Sequence, residues 1–160
     1  MQSVTVICVG KCKERYWREA CAEYAKRLGA FCRFAIVEVE EERCPENPSE
    51  AQRLNVLRRE GERIQKALPA HAYAIALCIE GQCGSSEQLS HRLSDLALQG
   101  ESQVAFLIGG SFGLCEQVKA ACRERMSMSR MTFPHQLARV MLCEQIYRAY
   151  QIASGGKYHK

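Results

Sequence analysis

Short apolar runs alternate with stretches of helical period from one end of the chain to the other, and this alternation limits the fold most. Val4–Val9, Phe34–Val39, Tyr73–Ile79 and Val104–Ile108 are nearly continuous apolar segments. A strand covered on both faces has this character. Between the first two runs the spacing predicts a helix over Lys13–Leu28. Trp17, Ala20, Cys21, Tyr24 and Leu28 share one face of it, which places Trp17 in the core, and Gly29 can end it. Glu40–Pro48 is acidic, contains two prolines, and reads as a loop. Ser49 with Gln52 forms a capping box for the next helix, whose inner stripe is Leu54, Leu57, Gly61, Ile64 and Leu68. Gly81–Gly84 reads as a turn. A second capping box, Ser85 with Gln88, opens a helix lined by Leu89, Leu93 and Leu96. A short helix over Leu114–Arg123 follows the fourth run. Met126–Phe133 reads either as a plain core strand or as a short strand with a loop. Pro134 suits the first turn of a last helix, which runs to about Ala153 before Ser154-Gly155-Gly156 stops it. The result is an α/β fold with a mainly parallel sheet flanked by helices, in one domain over residues 1–160.

Composition narrows the class. With 47% hydrophobic residues the chain can bury a core without disulfides or metal. The net charge of +4 admits a nucleic-acid partner without demanding one. The ten cysteines form no C-x-x-C pair and no zinc-spaced cluster with histidine. Cys8, Cys78 and Cys143 lie inside apolar runs and are expected to be buried, reduced thiols, which points to the cytosol. The Val4–Val9 run is too short for a signal peptide, and no stretch reaches the length of a membrane span.

Four features can carry chemistry. The fourth strand runs straight into Ile108-Gly109-Gly110-Ser111-Phe112-Gly113. That is where open α/β sheets hold ligands and where glycine lets backbone amides approach them. A tight turn would use the same residues. Met126–Phe133 can present backbone groups to an adenine beside an apolar lining, or can be plain core. The last helix has Leu137, Val140, Met141, Leu142, Ile146, Tyr147, Tyr150 and Ile152 spread over more than one face, so it is covered on two sides, the second cover being another copy of the chain. Arg148 stands one turn from Glu144, the spacing of an ordinary helical ion pair. The tail Lys157-Tyr158-His159-Lys160 offers a hydroxyl, an aromatic ring and a titratable base, although such termini commonly fray. Lys11–Arg18 also mixes cations with aromatics, as RNA-contacting surfaces do.

Taken in order, these motifs resemble the RlmH family of small SPOUT-class methyltransferases. The resemblance rests on Ile108–Leu114, on Ser127–Gln136, on Glu144–Tyr150 and on the closing Tyr158-His159-Lys160. The opening VGKCKERYW and EYAKRLG extend it over the whole chain. It implies a C-terminal deep trefoil knot, which general rules of chain connection would have argued against. It also implies a homodimer and S-adenosyl-L-methionine as cofactor. The implied reaction is methylation of N3 of a pseudouridine in 23S ribosomal RNA, within assembled ribosomes. By motif, the cofactor would be held by Leu77, Gly109, Met128, Ser129, Arg130, Met131, Thr132 and Phe133. Arg148, Tyr158 and His159 would face the RNA. His159 is the first candidate for the base that takes the N3 proton, because a free imidazole titrates near ~6.5. Arg148 can instead stabilise the imide anion, and Tyr158 can stack on the base or bond to it. A nucleotide-binding regulatory module or a non-catalytic ribosome-binding factor would share the glycine loop or the charge, but not the whole set of motifs.

Overall fold

The computed structural model describes all 160 residues. Its elements are β1 (Ser3–Val9), α1 (Arg15–Leu28), β2 (Arg33–Val39), α2 (Glu50–Ala67), β3 (Tyr73–Cys83), α3 (Ser86–Leu98), β4 (Gln103–Ile108), α4 (Glu116–Ala121), β5 (Glu124–Ser127) and α5 (His135–Ala153). The five strands form one sheet in the order β2-β1-β4-β3-β5, with every pairing parallel. The central strands β1 and β4 are buried along almost their whole length, whereas the edge strand β2 alternates exposed and half-buried residues. That difference explains why the first and fourth runs are so uniformly apolar.

Helices cover both faces. On one, Val4, Val6, Tyr73, Ile75, Val104 and Phe106 pack with Leu28 of α1, Leu93 and Leu96 of α3, and Leu142 and Ile146 of α5. On the other, Ile7, Val9, Ala105 and Leu107 meet Ile64 of α2 and Val118 of α4. Both expected capping boxes form, with the Ser49 and Ser85 hydroxyls each accepting an amide N–H at 3.1 Å.

Several local expectations change. Leu54 is exposed, and Val56 takes the buried place on α2 with Glu60, Gly61 and Ile64. Trp17 is only half-buried, edge-on to Tyr16 at 4.9 Å, because α1 begins at Arg15 and Trp17 lies in its unpacked first turn. Cys8 and Cys143 are buried as expected; Cys78 is half-buried, because the β3 ladder breaks beside it.

That break is the main departure from the predicted turn at Gly81–Gly84. β3 pairs with β5 through Leu77↔Met126, leaves the ladder, and resumes at Gln82↔Met126 and Cys83↔Ser127. Gly81 sits against the β5 backbone: a Cβ there would lie 2.6 Å from the Met126 carbonyl carbon. Only glycine lets the strand return this closely. Met126–Phe133 resolves into the end of β5 and a loop. The last helix is flanked by α1 and α3 on the sheet, so much of its broad apolar surface is covered within the chain. Val140 and Met141 stay half-buried beside a cleft.

Candidate functional site

Three neighbouring parallel strands, β4, β3 and β5, bring the expected cofactor residues to one end of the sheet. Ala76 pairs with Leu107, the last pair between β3 and β4, so Leu77 stands beside the Ile108-Gly109 step at the carboxyl end of β4, although β3 itself continues to Cys83 and not, as the sequence suggested, only to Ile79. Leu77 pairs with Met126 on its other side, and the chain runs on through Ser127 to Met128. Gly109 is buried, Leu77, Met128, Ser129 and Phe133 are half-buried, and Arg130, Met131 and Thr132 are exposed.

The loop after β4 is a tight turn. The Gly113 N–H donates to the Gly110 carbonyl at 3.0 Å, and Gly113 takes a φ of +78°. Gly109 packs so closely on Gly113 that no side chain fits at that position. The loop after β5 is shaped by its own serines. Ser127 Oγ donates to the Ser129 carbonyl at 2.8 Å, and the Met131 N–H donates to Ser129 Oγ at 3.0 Å. Met128, Arg130, Thr132 and Phe133 make no backbone–backbone hydrogen bond. Their amide and carbonyl groups are available to an adenine edge, and the 73% exposed Met131 offers an uncovered apolar side chain beside them. These residues fit S-adenosylmethionine: a close-approach glycine, a free backbone strip and an apolar cover at the strand ends.

A cleft of about 1090 Å³ adjoins this region. Met126, Ser127 and Met128 line one side of it, Gln82–Ser86 and Arg92 another, and Val140, Met141, Glu144 and Gln145 of α5 a third. Of the expected cofactor residues, only Met128 reaches this cleft.

The tail does not fray; it folds back onto α5. The Tyr158 ring packs edge-on to Tyr147 at 4.8 Å and lies 4.8 Å from the Arg148 guanidinium carbon. Arg148 and Glu144 form the expected ion pair, with Arg148 Nε donating to Glu144 Oε1 at 2.9 Å. The Tyr158 hydroxyl donates to the same oxygen at 3.1 Å. Arg148 Nη1 stands 3.1 Å from His159 Nδ1, and His159 Nε2 stands 2.7 Å from Glu87 Oε1. The structure thus brings Arg148, Tyr158 and His159 into one cluster.

The electrostatics separate the three. Burial first, then hydrogen bonding with Tyr24, pushes the Tyr158 phenol up to about 12. It therefore stays protonated near neutrality and is no base. The Glu144 carboxylate raises Arg148 above its ordinary value, so Arg148 stays charged. Glu87 is the residue that sequence reasoning missed. It lies in the first turn of α3, 72 positions from His159, and nothing in the local pattern distinguishes it from an acidic residue at a helix start.

The chain is similar to known methyltransferases along its whole length. The family model described as "Predicted SPOUT methyltransferase" matches residues 2–159. A protein of Clostridium novyi named "Ribosomal RNA large subunit methyltransferase H" is 47% identical over 158 residues, covering 99% of each chain. One of the same name from Bifidobacterium adolescentis is 50% identical over 157 residues, covering 98% of this chain and 99% of that one. Among solved structures, a probable methyltransferase of Bordetella pertussis superposes with a TM-score of 0.60 at 18% identity, covering 93% of this chain and 96% of that one, which speaks for the fold alone.

Proposed function

The chain belongs to the SPOUT methyltransferase family, and on that premise we propose that it methylates N3 of a pseudouridine in 23S ribosomal RNA with S-adenosyl-L-methionine as methyl donor. The observation that carries the reading is the return of the C-terminal tail, which joins His159 and Tyr158 to Arg148 on α5. A frayed tail would leave these side chains without a common site. The relatives at 47% and 50% identity bear names that specify large-subunit ribosomal RNA.

In this reading Leu77, Gly109 and Met128–Phe133 hold the cofactor, through the close-approach glycine and the free backbone groups of the last loop. The bound cofactor supplies a methyl group already activated on a sulfonium. The residues of the chain then align the pyrimidine nitrogen with that methyl group, exclude water and remove a proton. Alignment supplies much of the acceleration. Arg148 carries a fixed positive charge for the imide anion that forms as N3 loses its proton. Tyr158 stays a phenol, so it packs on the base or donates to it. His159 remains as the proton acceptor.

We infer further that the active form is a homodimer acting on assembled ribosomes in the cytoplasm, and that residues 1–160 form one domain with a C-terminal trefoil knot. Val140 and Met141, half-buried beside the cleft, give a second copy an apolar surface on α5. The tail of one subunit then completes the RNA-facing side of the other's active site, next to its cofactor. The net charge of +4 is modest for gripping free RNA, which favours a ribosomal particle as substrate.

The test is transfer of radiolabelled methyl groups to ribosomes from a strain that lacks the modification, with the pseudouridine present or absent. Incorporation only where the pseudouridine is present is the expected outcome. No incorporation in either case overturns the reading.

A further inference from the structure

Hydrogen-bond chemistry fixes the tautomer of His159. A guanidinium has donors and no acceptor. Arg148 Nη1 lies 3.1 Å from His159 Nδ1, so Nδ1 must accept and carries no proton. The neutral ring then bears its hydrogen on Nε2, which lies 2.7 Å from Glu87 Oε1 and donates to that carboxylate. Glu87 is anionic: its own backbone amide first, and His159 next, hold its carboxyl below the ordinary carboxylate range. The other donors of the guanidinium are engaged elsewhere. Nε and Nη2 both face Glu144 Oε1, which leaves Nη1 as the edge turned to the imidazole.

From this geometry we propose that Glu87 is a positioning residue for methyl transfer: it holds His159 as the Nε2–H tautomer, so that the Nδ1 lone pair points to the side where Arg148 meets the substrate. The proposal rests on the function argued above and adds a residue to it. The arrangement is that of a carboxylate-oriented base, in which a third group sets the tautomer of the imidazole and steadies the cation it becomes.

Arg148 Nη1–H marks the place of a second donor. When the RNA base enters, its N3–H takes that place at Nδ1 and Arg148 turns to the adjacent imide oxygen. The N3–H bond then breaks, its proton passing to Nδ1. The electron pair left on N3 forms the bond to the methyl carbon. The carbon–sulfur bond breaks with its pair staying on sulfur, which becomes a neutral thioether. The imidazolium is left between the Glu87 carboxylate and the product until solvent takes the proton. No oxidant or metal enters the balance. The opposite tautomer would point an N–H at the substrate's N–H and leave no acceptor.

Glu87 is more than half exposed, so its replacement should leave the fold intact. The experiment joins nitrogen-15 NMR of the histidine ring with methyl-transfer kinetics, on the full chain and on Glu87→Ala and Glu87→Gln. At about pH 8, above the ordinary imidazole range, wild-type His159 should show a pyridine-like Nδ1 and a pyrrole-like Nε2. Glu87→Ala should lose this preference and lower kcat by about tenfold or more, with the KM for ribosomes changed less than about twofold. Glu87→Gln, whose amide oxygen can still accept from Nε2–H but brings no charge to the imidazolium, should keep the tautomer and show a kcat between those of the wild type and Glu87→Ala. An Nδ1–H ring in the wild type overturns the proposal. So does a Glu87→Ala effect confined to KM, which would make the contact a mere tether for the tail. The NMR arm does not depend on the substrate, so a wild-type enzyme inactive on ribosomes would count against the proposed function and leave the tautomer to be judged by its spectrum.

Discussion

Gly109 and Gly113 are packed backbone against backbone: a Cβ on Gly109 would lie 2.3 Å from both the carbonyl carbon and the carbonyl oxygen of Gly113. Those atoms belong to the turn itself and cannot rotate away as a side chain would. Gly109→Val must therefore open the loop at the end of β4, while the strand, paired with β1 up to Ile108 and with β3 up to Leu107, stays in the sheet. The expected outcome is loss of the calorimetric signal for S-adenosylmethionine at concentrations that saturate the wild type, with far-ultraviolet circular dichroism unchanged. A variant that binds the cofactor normally would remove Gly109 from the site.

Removal of Tyr158–Lys160 separates substrate chemistry from cofactor binding. The tail supplies His159 and Tyr158, whereas the proposed cofactor groups lie at Leu77 within β3, at the end of β4 and in the loop after β5. Methyl transfer should fall to background, and affinity for S-adenosylmethionine should stay within about threefold, or ~0.7 kcal/mol. Stability should fall by roughly 0.5–1.5 kcal/mol, the worth of the lost edge-to-face pair with Tyr147. Unchanged turnover by the truncated chain would show that the tail has no catalytic part.

Glu60 makes stability depend on pH. It is 3% exposed on α2; its Oε2 accepts the Glu42 N–H at 3.0 Å and its Oε1 has no partner. Burial, the largest influence, raises its carboxyl above the ordinary carboxylate range. A group whose folded-state pKa is raised contributes stability that is complete below the unfolded value and is lost as pH rises through the folded value. Wild-type stability should therefore carry a declining component on the alkaline side of the ordinary carboxylate range. Glu60→Gln should remove that component and be more stable than the wild type at about pH 8, by ~1 kcal/mol. Urea melts of both proteins at about pH 4 and pH 8 test this, and a variant less stable at both would refute it.

How far the sequence could be read depended on whether the signal was local. The buried strands β1 and β4 and both capping boxes are written in consecutive or nearly consecutive residues, and they form where expected. The glycine run after β4 was legible only as a turn that a ligand could also use, and Leu77 was named through the family resemblance alone, because a leucine inside an apolar strand carries no mark of its own. What failed was set by distant partners. Gly81 looked like a turn because its actual constraint, the Met126 backbone, is 45 positions away in sequence. Leu54 looked like core because its spacing suited the stripe, yet the tertiary packing of α2 uses the face of Val56, Glu60 and Ile64. Glu87 carried no local mark at all, since its partner His159 reaches it only after α5 has crossed the sheet and the tail has turned back.

Arg139 offers a test of how α5 is held in place. It is 3% exposed, with Nη1 on Glu38 Oε2 at 2.6 Å and Nη2 donating to the Gly10 carbonyl at 3.0 Å. One side chain thus ties the first part of α5 to the end of β2 and to the loop after β1. Glu38 also accepts the Cys12 N–H at 3.1 Å, so it keeps one partner when the arginine is gone. Glu38 is 38% exposed, and water can replace much of what it loses. Arg139→Met should therefore cost about 3 kcal/mol, at the low end for breaking a buried pair. Glu38→Gln alone should cost less, about 1 kcal/mol, because the amide can still accept from both donors. The double variant should be less destabilised than the sum of the two by roughly 0.5–1 kcal/mol, the coupling expected of residues in direct contact. Denaturant melts of the four proteins measure it. Strict additivity would mean that Arg139 acts through Gly10 alone and that its contact with Glu38 contributes nothing to seating α5.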